Sequence, residues 1–338
     1  MKAWRFHEFG MENLVLEEVE SPPVGAGEVR IRMRAASLNY RDLLMVKGRY
    51  NPRMRRPLIP CSDGVGEVVE VGAGVQRVQV GDRVAGCFAP EWQAGDPESA
   101  TIRQTLGGPR DGTLCEEMVL PAYGVVTVPA HLTDEEAATL PCAALTAWSA
   151  MFTMGNLRAG DTVLVQGSGG VSVFALAFAR MAGARVVATT SSADKEARLR
   201  ELGADHVINY REVEAWGRAA KEWTGGRGVD QVIEVGGAGT LEQSLVAVRT
   251  GGHVSLIGIL AGVAEPLKLT SILMRNVRVQ GILVGHREGF EAMNRAIDAH
   301  GYRPEVDRVF AFAEADAAFA HLASGRHVGK VCVRIGDG

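Results

Sequence analysis

The sequence has no C-x-x-C pair, and its five cysteines, Cys61, Cys87, Cys115, Cys142 and Cys332, are odd in number and far apart. That spacing argues against a disulfide framework and fits a reducing cytoplasm. No lysine–arginine stripe stands out, and the formal net charge is −4 with acids and bases interspersed, so no nucleic-acid partner is expected. The longest uncharged apolar stretch, around 163–179, carries Gln166 and several small residues and stops at Arg180, so no membrane span is expected. The opening MKAWRF alternates polar and apolar residues without an apolar leader core, so no secretory signal is expected. What remains is a chain of 338 residues, 46% hydrophobic and 22% charged, with the balance of a soluble globular protein of about two domains.

The first third reads as strands and turns. VRIRMRAASL (29–38) alternates apolar and basic residues as a half-buried strand does, and GVGEVVEVGAGVQRVQVGDRV (64–84) is two Val-rich runs broken by glycines. The stretch 88–114 is rich in Gly, Pro and Asp, the texture of a binding loop or lid, with Trp92 as a candidate roof for a substrate pocket. Thr133 followed by three acids marks a helix start within LTDEEAATLPCAALTAWSAM. From Asp161 onward, TVLVQG, RVVATT, HVIN, VDQVIEVG and HVSLIGI read as strands with helical segments between them. That alternation implies βαβ units, a parallel sheet and right-handed crossovers.

After TVLVQ comes Gly167-Ser168-Gly169-Gly170-Val171-Ser172. A triphosphate loop needs Lys followed by Ser or Thr after its second Gly, and neither is present. A dinucleotide loop needs small residues where a strand turns into a helix, so that bare backbone reaches a pyrophosphate at the helix's positive end. Gly167 and Gly169 meet the G-x-G-x-x-G spacing, with Ser172 at the third place; a plain tight turn is the alternative. At the end of the second strand an NAD site wants an acid for the ribose 2′-hydroxyl. This chain has Thr189, Thr190, Ser191 and Ser192, then Lys195. Hydroxyls and a cation suit a 2′-phosphate, which favours NADP(H); an N-capped helix start with a solvated Lys195 is the other reading.

GDTVLVQGSGGVSVFALAFARMAGARVVATTSSADKEARLRELGADHVINY, PLIPCSDGVGEVVEVGAGVQRVQVGDRVAG and the closing GRHVGKVCVRI together resemble the medium-chain dehydrogenase/reductase superfamily, and within it the zinc-free quinone oxidoreductase-like branch. The resemblance implies an α/β fold, with a Rossmann doubly wound parallel sheet domain at 126–284 and a GroES-like β-rich catalytic domain at 1–125 and 285–338. It also implies a homodimer paired through NVRVQGILVG (276–285). Zinc-dependent members hold the metal with Cys, His and Cys. The matching positions here are Asn39, Ser62 in the Cys61-Ser62-Asp63 triplet, and Cys142, a set that suits zinc poorly. The cysteine lobe for structural zinc is replaced by the loop after Cys87, so no metal is expected. The resemblance further places Asn39, Thr146 and Lys330 near a nicotinamide, Lys195 and Tyr210 at a 2′-phosphate, and Gly236 and Ile259 beside the cofactor. Cys142 is either a core thiol or a reactive one.

Without zinc, the negative charge that develops on a substrate oxygen must meet hydrogen-bond donors. Asn39, Tyr40, Arg41 and Ser62 are the candidates, with Tyr50 and Arg287 behind them, and Asp63 could act as a base in the reverse direction. A conjugated enone or quinone asks least of such a site, because its enolate spreads the charge. The expected activity is therefore NADP(H)-dependent hydride transfer to an activated C=C or C=O of a small molecule. The alternatives are zinc-less alcohol oxidation and an NADPH sensor with little turnover. The sequence shows no charged clamp for a carboxylate or phosphate.

Overall fold

Within 29–38, Val29, Ile31 and Met33 are buried and the arginines between them are not, the period of two that one covered sheet face requires. The computed structural model describes residues 1–336, and counts and absences refer to these. The chain divides into two compact units, Met1–Leu145 with Gly285–Gly338, and Thr146–Val284.

The first unit opens with an antiparallel pair, β1 (Lys2–Phe6) and β2 (Leu14–Glu18). It continues through β3 (Glu28–Leu38), α1 (Tyr40–Val46), β4 (Asp63–Val71), β5 (Arg83–Gly86), α2 (Ser99–Ile102), β6 (Glu117–Pro121), β7 (Val125–Thr127) and α3 (Asp134–Ala138). In the second unit and the segment leading into it, α4 (Leu145–Trp148), β8 (Thr162–Gln166), α5 (Gly170–Met181), β9 (Arg185–Thr190), α6 (Ala193–Glu201), β10 (His206–Asn209), α7 (Trp216–Trp223), β11 (Val229–Glu234), α8 (Ala238–Ala247), β12 (Val248–Leu256), α9 (Thr270–Leu273) and β13 (Arg278–Gly281) follow in turn. The chain then re-enters the first unit with α10 (Arg287–His300), β14 (Val306–Ala311), α11 (Ala315–Ala323) and β15 (Lys330–Arg334).

In the first unit the described strands form a sheet in the order β14-β15-β3-β4-β5-β7, with β6 also on β3. Residues 126–145 belong here and not to the second unit, where the sequence puts them, because α3 packs on β3, β4 and β15. Thr133 caps α3: its hydroxyl accepts from the Glu136 N–H at 3.2 Å, and Glu136 returns the bond at 2.8 Å. The helix begins where the sequence marks it but runs only from Asp134 to Ala138. Pro141 lacks an N–H, and 140–144 forms a widened π turn. The two ends of the loop 88–114 are buried in the unit, while residues 93–100 are exposed. Trp92 is 5% exposed, stands edge-on to His286 and donates to the Gly95 carbonyl at 3.0 Å.

The second unit is a parallel sheet in the order β10-β9-β8-β11-β12-β13. That is the doubly wound nucleotide-binding order, in which ligands sit beyond the carboxyl ends of the strands where winding reverses, here between β8 and β11. Both strands are buried along their whole length, as helices on both faces demand. Among the described residues no helix is long and apolar enough to cross a membrane.

Candidate functional site

Two constellations carry the chemistry, one in each unit. In the first unit β3 ends at Leu38 and α1 begins at Tyr40, with Asn39 as the N-cap. The Asn39 N–H donates to Asp42 Oδ2 at 2.7 Å, which fixes the turn. Asp42 is fully buried, and its Oδ1 has no hydrogen-bond partner; burial pushes its carboxyl up to about 6 against the pull of Arg41. Asp42 is thus a local anchor. From β15, Lys330 reaches back into the same place. Its ammonium is buried and donates to the Leu38 carbonyl at 2.7 Å and to Asn39 Oδ1 at 2.5 Å.

That contact settles which way the Asn39 carboxamide faces. Lys330 can only donate, so Oδ1 turns to it and the NH2 group faces the other way, toward Ser62 Oγ at 3.5 Å. Ser62 in turn donates to Asp63 Oδ1 at 2.7 Å, and Asp63 Oδ2 accepts the Cys142 N–H at 3.2 Å. Burial raises the Asp63 carboxyl above its ordinary value, while Lys330, 3.8 Å away, pulls it down. Lys330 is buried, and its charge is engaged by protein oxygens.

Several expected donors are already committed. The Ser62 hydroxyl proton goes to Asp63. Arg41 donates to the Leu106 and Gly108 carbonyls and to Thr105 Oγ1 at 2.7–3.0 Å, and so braces the 105–108 turn. Arg287 donates to Gln93 Oε1 and the Tyr123 carbonyl. Tyr40 is 47% exposed and its hydroxyl makes no hydrogen bond among the described residues. The Cys142 thiol is pushed well above its ordinary value by burial and by Asp63, so it stays protonated at neutral pH. An amide, a hydroxyl and one thiol at Asn39, Ser62 and Cys142 make a weak donor set for zinc, and among the described residues no group of three His, Cys, Asp or Glu could hold a metal.

In the second unit the turn after β8 lies at the winding reversal. Gly167 has φ +73°, the left-handed region that glycine tolerates, and Gly169 caps α5. A Cβ on either would meet nothing within 4 Å, so the turn has an open face toward which backbone can present N–H groups. Ser168 is buried, while Gly170 and Val171 begin α5. Ser172, at the third glycine's place, donates to the Gln166 carbonyl at 2.6 Å and ties helix to strand. At the end of β9, Thr190 is buried beside Ser191, and the Tyr210 N–H donates to the Thr190 carbonyl at 2.9 Å. Ser192 caps α6 by accepting from the Lys195 N–H. Thr190, Ser191, Lys195 and Tyr210 therefore gather at adjoining strand ends, with the Tyr210 ring 44% exposed. Ile259 lies exposed in the loop after β12, and Thr146 is buried at the start of the unit.

Gly236 follows the end of β11, beside the winding reversal, as expected. Its N–H is taken by Gln166 Oε1 and Glu234 Oε1, and a Cβ on it would strike Thr240, so it is a packing glycine with no free amide. The sequence reading passed over the residues that hold it. Glu234 is wholly buried and accepts on Oε1 from the Gly236 and Gly237 amides and the Thr240 hydroxyl; Oε2 accepts from Gln166 and Ser244. The signal was a polar residue at the end of each of two strands, Gln166 closing TVLVQ and Glu234 closing VDQVIE.

Two family models match: an alcohol dehydrogenase GroES-like domain over 25–130 and a zinc-binding dehydrogenase domain over 170–299. A zinc-type alcohol dehydrogenase-like protein of Schizosaccharomyces pombe is 42% identical over 96% of both chains. An acryloyl-coenzyme A reductase of Metallosphaera sedula is 32% identical over 96% of both. Among solved structures, an NAD-dependent alcohol dehydrogenase superposes with a TM-score of 0.91 at 32% identity, over 99% of this chain and 100% of that one. A crotonyl-CoA carboxylase/reductase in complex with NADP superposes with a TM-score of 0.89 at 26% identity, over 99% and 94%.

Proposed function

The chain belongs to the medium-chain dehydrogenase/reductase superfamily, an oxidoreductase family that binds nicotinamide dinucleotides, and from that premise we propose a zinc-independent, NADP(H)-dependent reductase of double bonds conjugated to a carbonyl. The observation that carries the reading is the Lys330–Asn39 contact: an amide held with Oδ1 on Lys330 and its NH2 group turned toward Ser62, where zinc-dependent relatives would have a thiolate. The acryloyl-CoA and crotonyl-CoA reductases among the similar proteins support an activated alkene, CoA thioesters included, as the substrate class.

When bound, the reduced nicotinamide supplies a hydride, and the open turn at Gly167–Gly169 is the element that holds its pyrophosphate. The 2′-phosphate is received by Thr190, Ser191, Lys195 and Tyr210, none of which is acidic. Hydride addition at the β-carbon of a conjugated substrate would break its C=C π bond and leave the negative charge on the carbonyl oxygen, where this chain's donors would have to meet it. Asn39 Nδ2 and the Tyr40 hydroxyl donate hydrogen bonds to that oxygen. A solvent proton then completes the α-carbon. Asp63 and Lys330 act through Asn39 and Ser62 as positioning residues.

A panel of enones, enoyl thioesters, quinones, aldehydes and alcohols, each run with NADPH and NADH, tests the reading. Enone and thioester reduction with NADPH is expected; turnover confined to simple alcohols, or tighter NADH binding, would contradict it. The same reading makes the protein a homodimer through β13, an edge strand beside which Leu269, Leu273 and Met274 are at least 70% exposed. Light scattering is expected to give twice the 36.1 kDa chain mass.

A further inference from the structure

The chain between Asn39 and Ser62 is strongly one-sided in charge. Residues 43–62 hold Lys47, Arg49, Arg53, Arg55 and Arg56 and no acid. Elsewhere arginines of this unit meet carboxylates: Arg30 with Glu70, Arg34 with Glu67, Arg77 with Glu291 and Arg83 with Asp134, all within 3.0 Å. In the loop 47–56 the side chains of Lys47, Arg49, Arg53 and Arg55 are exposed and make no hydrogen bond or ion pair among the described residues. Arg56 lies over the Phe9 ring at 4.1 Å.

The loop is nonetheless held in place. The Arg49 N–H donates to the Leu44 carbonyl at 2.8 Å, the Arg53 and Met54 amides are taken by Asn51, and Met54 is buried. Fixing five like charges in ten residues is costly, and a bound polyanion relieves that cost. Tyr50 is 49% exposed, with the Arg41 guanidinium 5.2 Å from its ring centre, so a flat aromatic has a place to stack.

We propose that the loop 47–56 binds the phosphorylated adenosine end of a coenzyme A thioester, and so selects the substrate of the site described above. The proposal rests on the reductase reading. Position supports it: α1 leads from Asn39 into the loop, and the chain leaves the loop directly for Ser62. The seven residues of α1 span about 10 Å, a gap that the extended pantetheine arm bridges. Arginine forks match phosphate oxygens, and Tyr50 offers its face to adenine. A nucleic acid fits less well, because the cations occupy one loop of a chain with net charge −4 and form no stripe.

The test compares kcat/KM for crotonyl-CoA and for crotonyl-N-acetylcysteamine, which has the same thioester without the nucleotide. The CoA ester is expected to be favoured by about tenfold or more at low salt, roughly one phosphate contact's worth of affinity. R53E/R55E is expected to bring the ratio near one, and K47E/R49E to lower it. With NADP+ saturating, calorimetric binding of free CoA is expected to weaken by about tenfold or more in R53E/R55E. A wild-type ratio near one, a ratio or affinity unmoved by the charge reversals, or CoA binding only in competition with NADP+ would overturn the proposal. Turnover of both thioesters at equal efficiency sinks the loop alone. Absence of NADPH oxidation by any enone or thioester, with CoA still bound at the loop, sinks the reductase reading instead.

Discussion

Two residues carry most of the account, and each acts through a single atom. Gly169 matters for the Cβ it lacks. A methyl there would meet no protein atom within 4 Å, and the residue's φ of −73° is ordinary, so G169A leaves the fold nearly untouched. The expected cost in stability is no more than about 1 kcal/mol, from the altered helix cap. The methyl would instead stand where the pyrophosphate approaches. NADPH affinity by fluorescence titration is therefore expected to fall by about tenfold or more while the melting temperature barely moves. Lys330 matters for one hydrogen bond. K330M frees the Asn39 carboxamide to turn over and removes a charge-assisted bond of about 1.5–3 kcal/mol, so kcat is expected to drop by about ten- to a hundredfold. The cofactor dissociation constant should change little, because Nζ is spent on protein oxygens. A raised dissociation constant with kcat intact would assign Lys330 to the cofactor instead.

At the scale of elements, the cofactor-side loops are set by polar residues at strand ends. Glu234 gathers five donors at the end of β11 and braces the turn into α8. E234Q would set an NH2 group against N–H and O–H donors. The expected cost is about 2–3 kcal/mol, seen as a lower urea midpoint with the m-value unchanged. Between β12 and β13, His253 is buried, accepts from Arg278 Nε at 2.7 Å, and is pushed down to about 4 by burial and that neighbouring charge. The unfolded chain takes up this proton first, starting near 6.5. The neutral imidazole's contribution is thus fully present above that pH and fades as pH falls toward 4. The melting-temperature gap between wild type and H253Q is expected to shrink over that window. A gap that widens on acidification would contradict the buried, neutral imidazole.

At the scale of the molecule, the parallel sheet was readable because its strands are continuous apolar runs separated by helical periods. The cofactor turn was readable because glycines sit where strand becomes helix. What could not be read depends on contacts between distant segments. Lys330 meets Asn39 across 291 residues, and the Ser62 hydroxyl donates its hydrogen bond to a neighbour that only the fold orients. That the Gly236 amide is taken by Gln166, 70 residues away, is likewise invisible in the sequence. The boundary at 125 failed because α3 resembles the helices that follow it but packs on the strands that precede it. The cations of 47–56 form no long run, and their lack of carboxylate partners emerges only in three dimensions.

The central claim is reduction of an activated alkene at a site built from Asn39, Tyr40 and Lys330 without a metal. The most direct measurement is the rate of NADPH oxidation by an enoyl thioester before and after stripping with a strong chelator, with metal content followed by elemental analysis. The account predicts the same rate in metal-free protein and no gain on adding zinc. A rate that disappears on stripping and returns with one equivalent of zinc would contradict it.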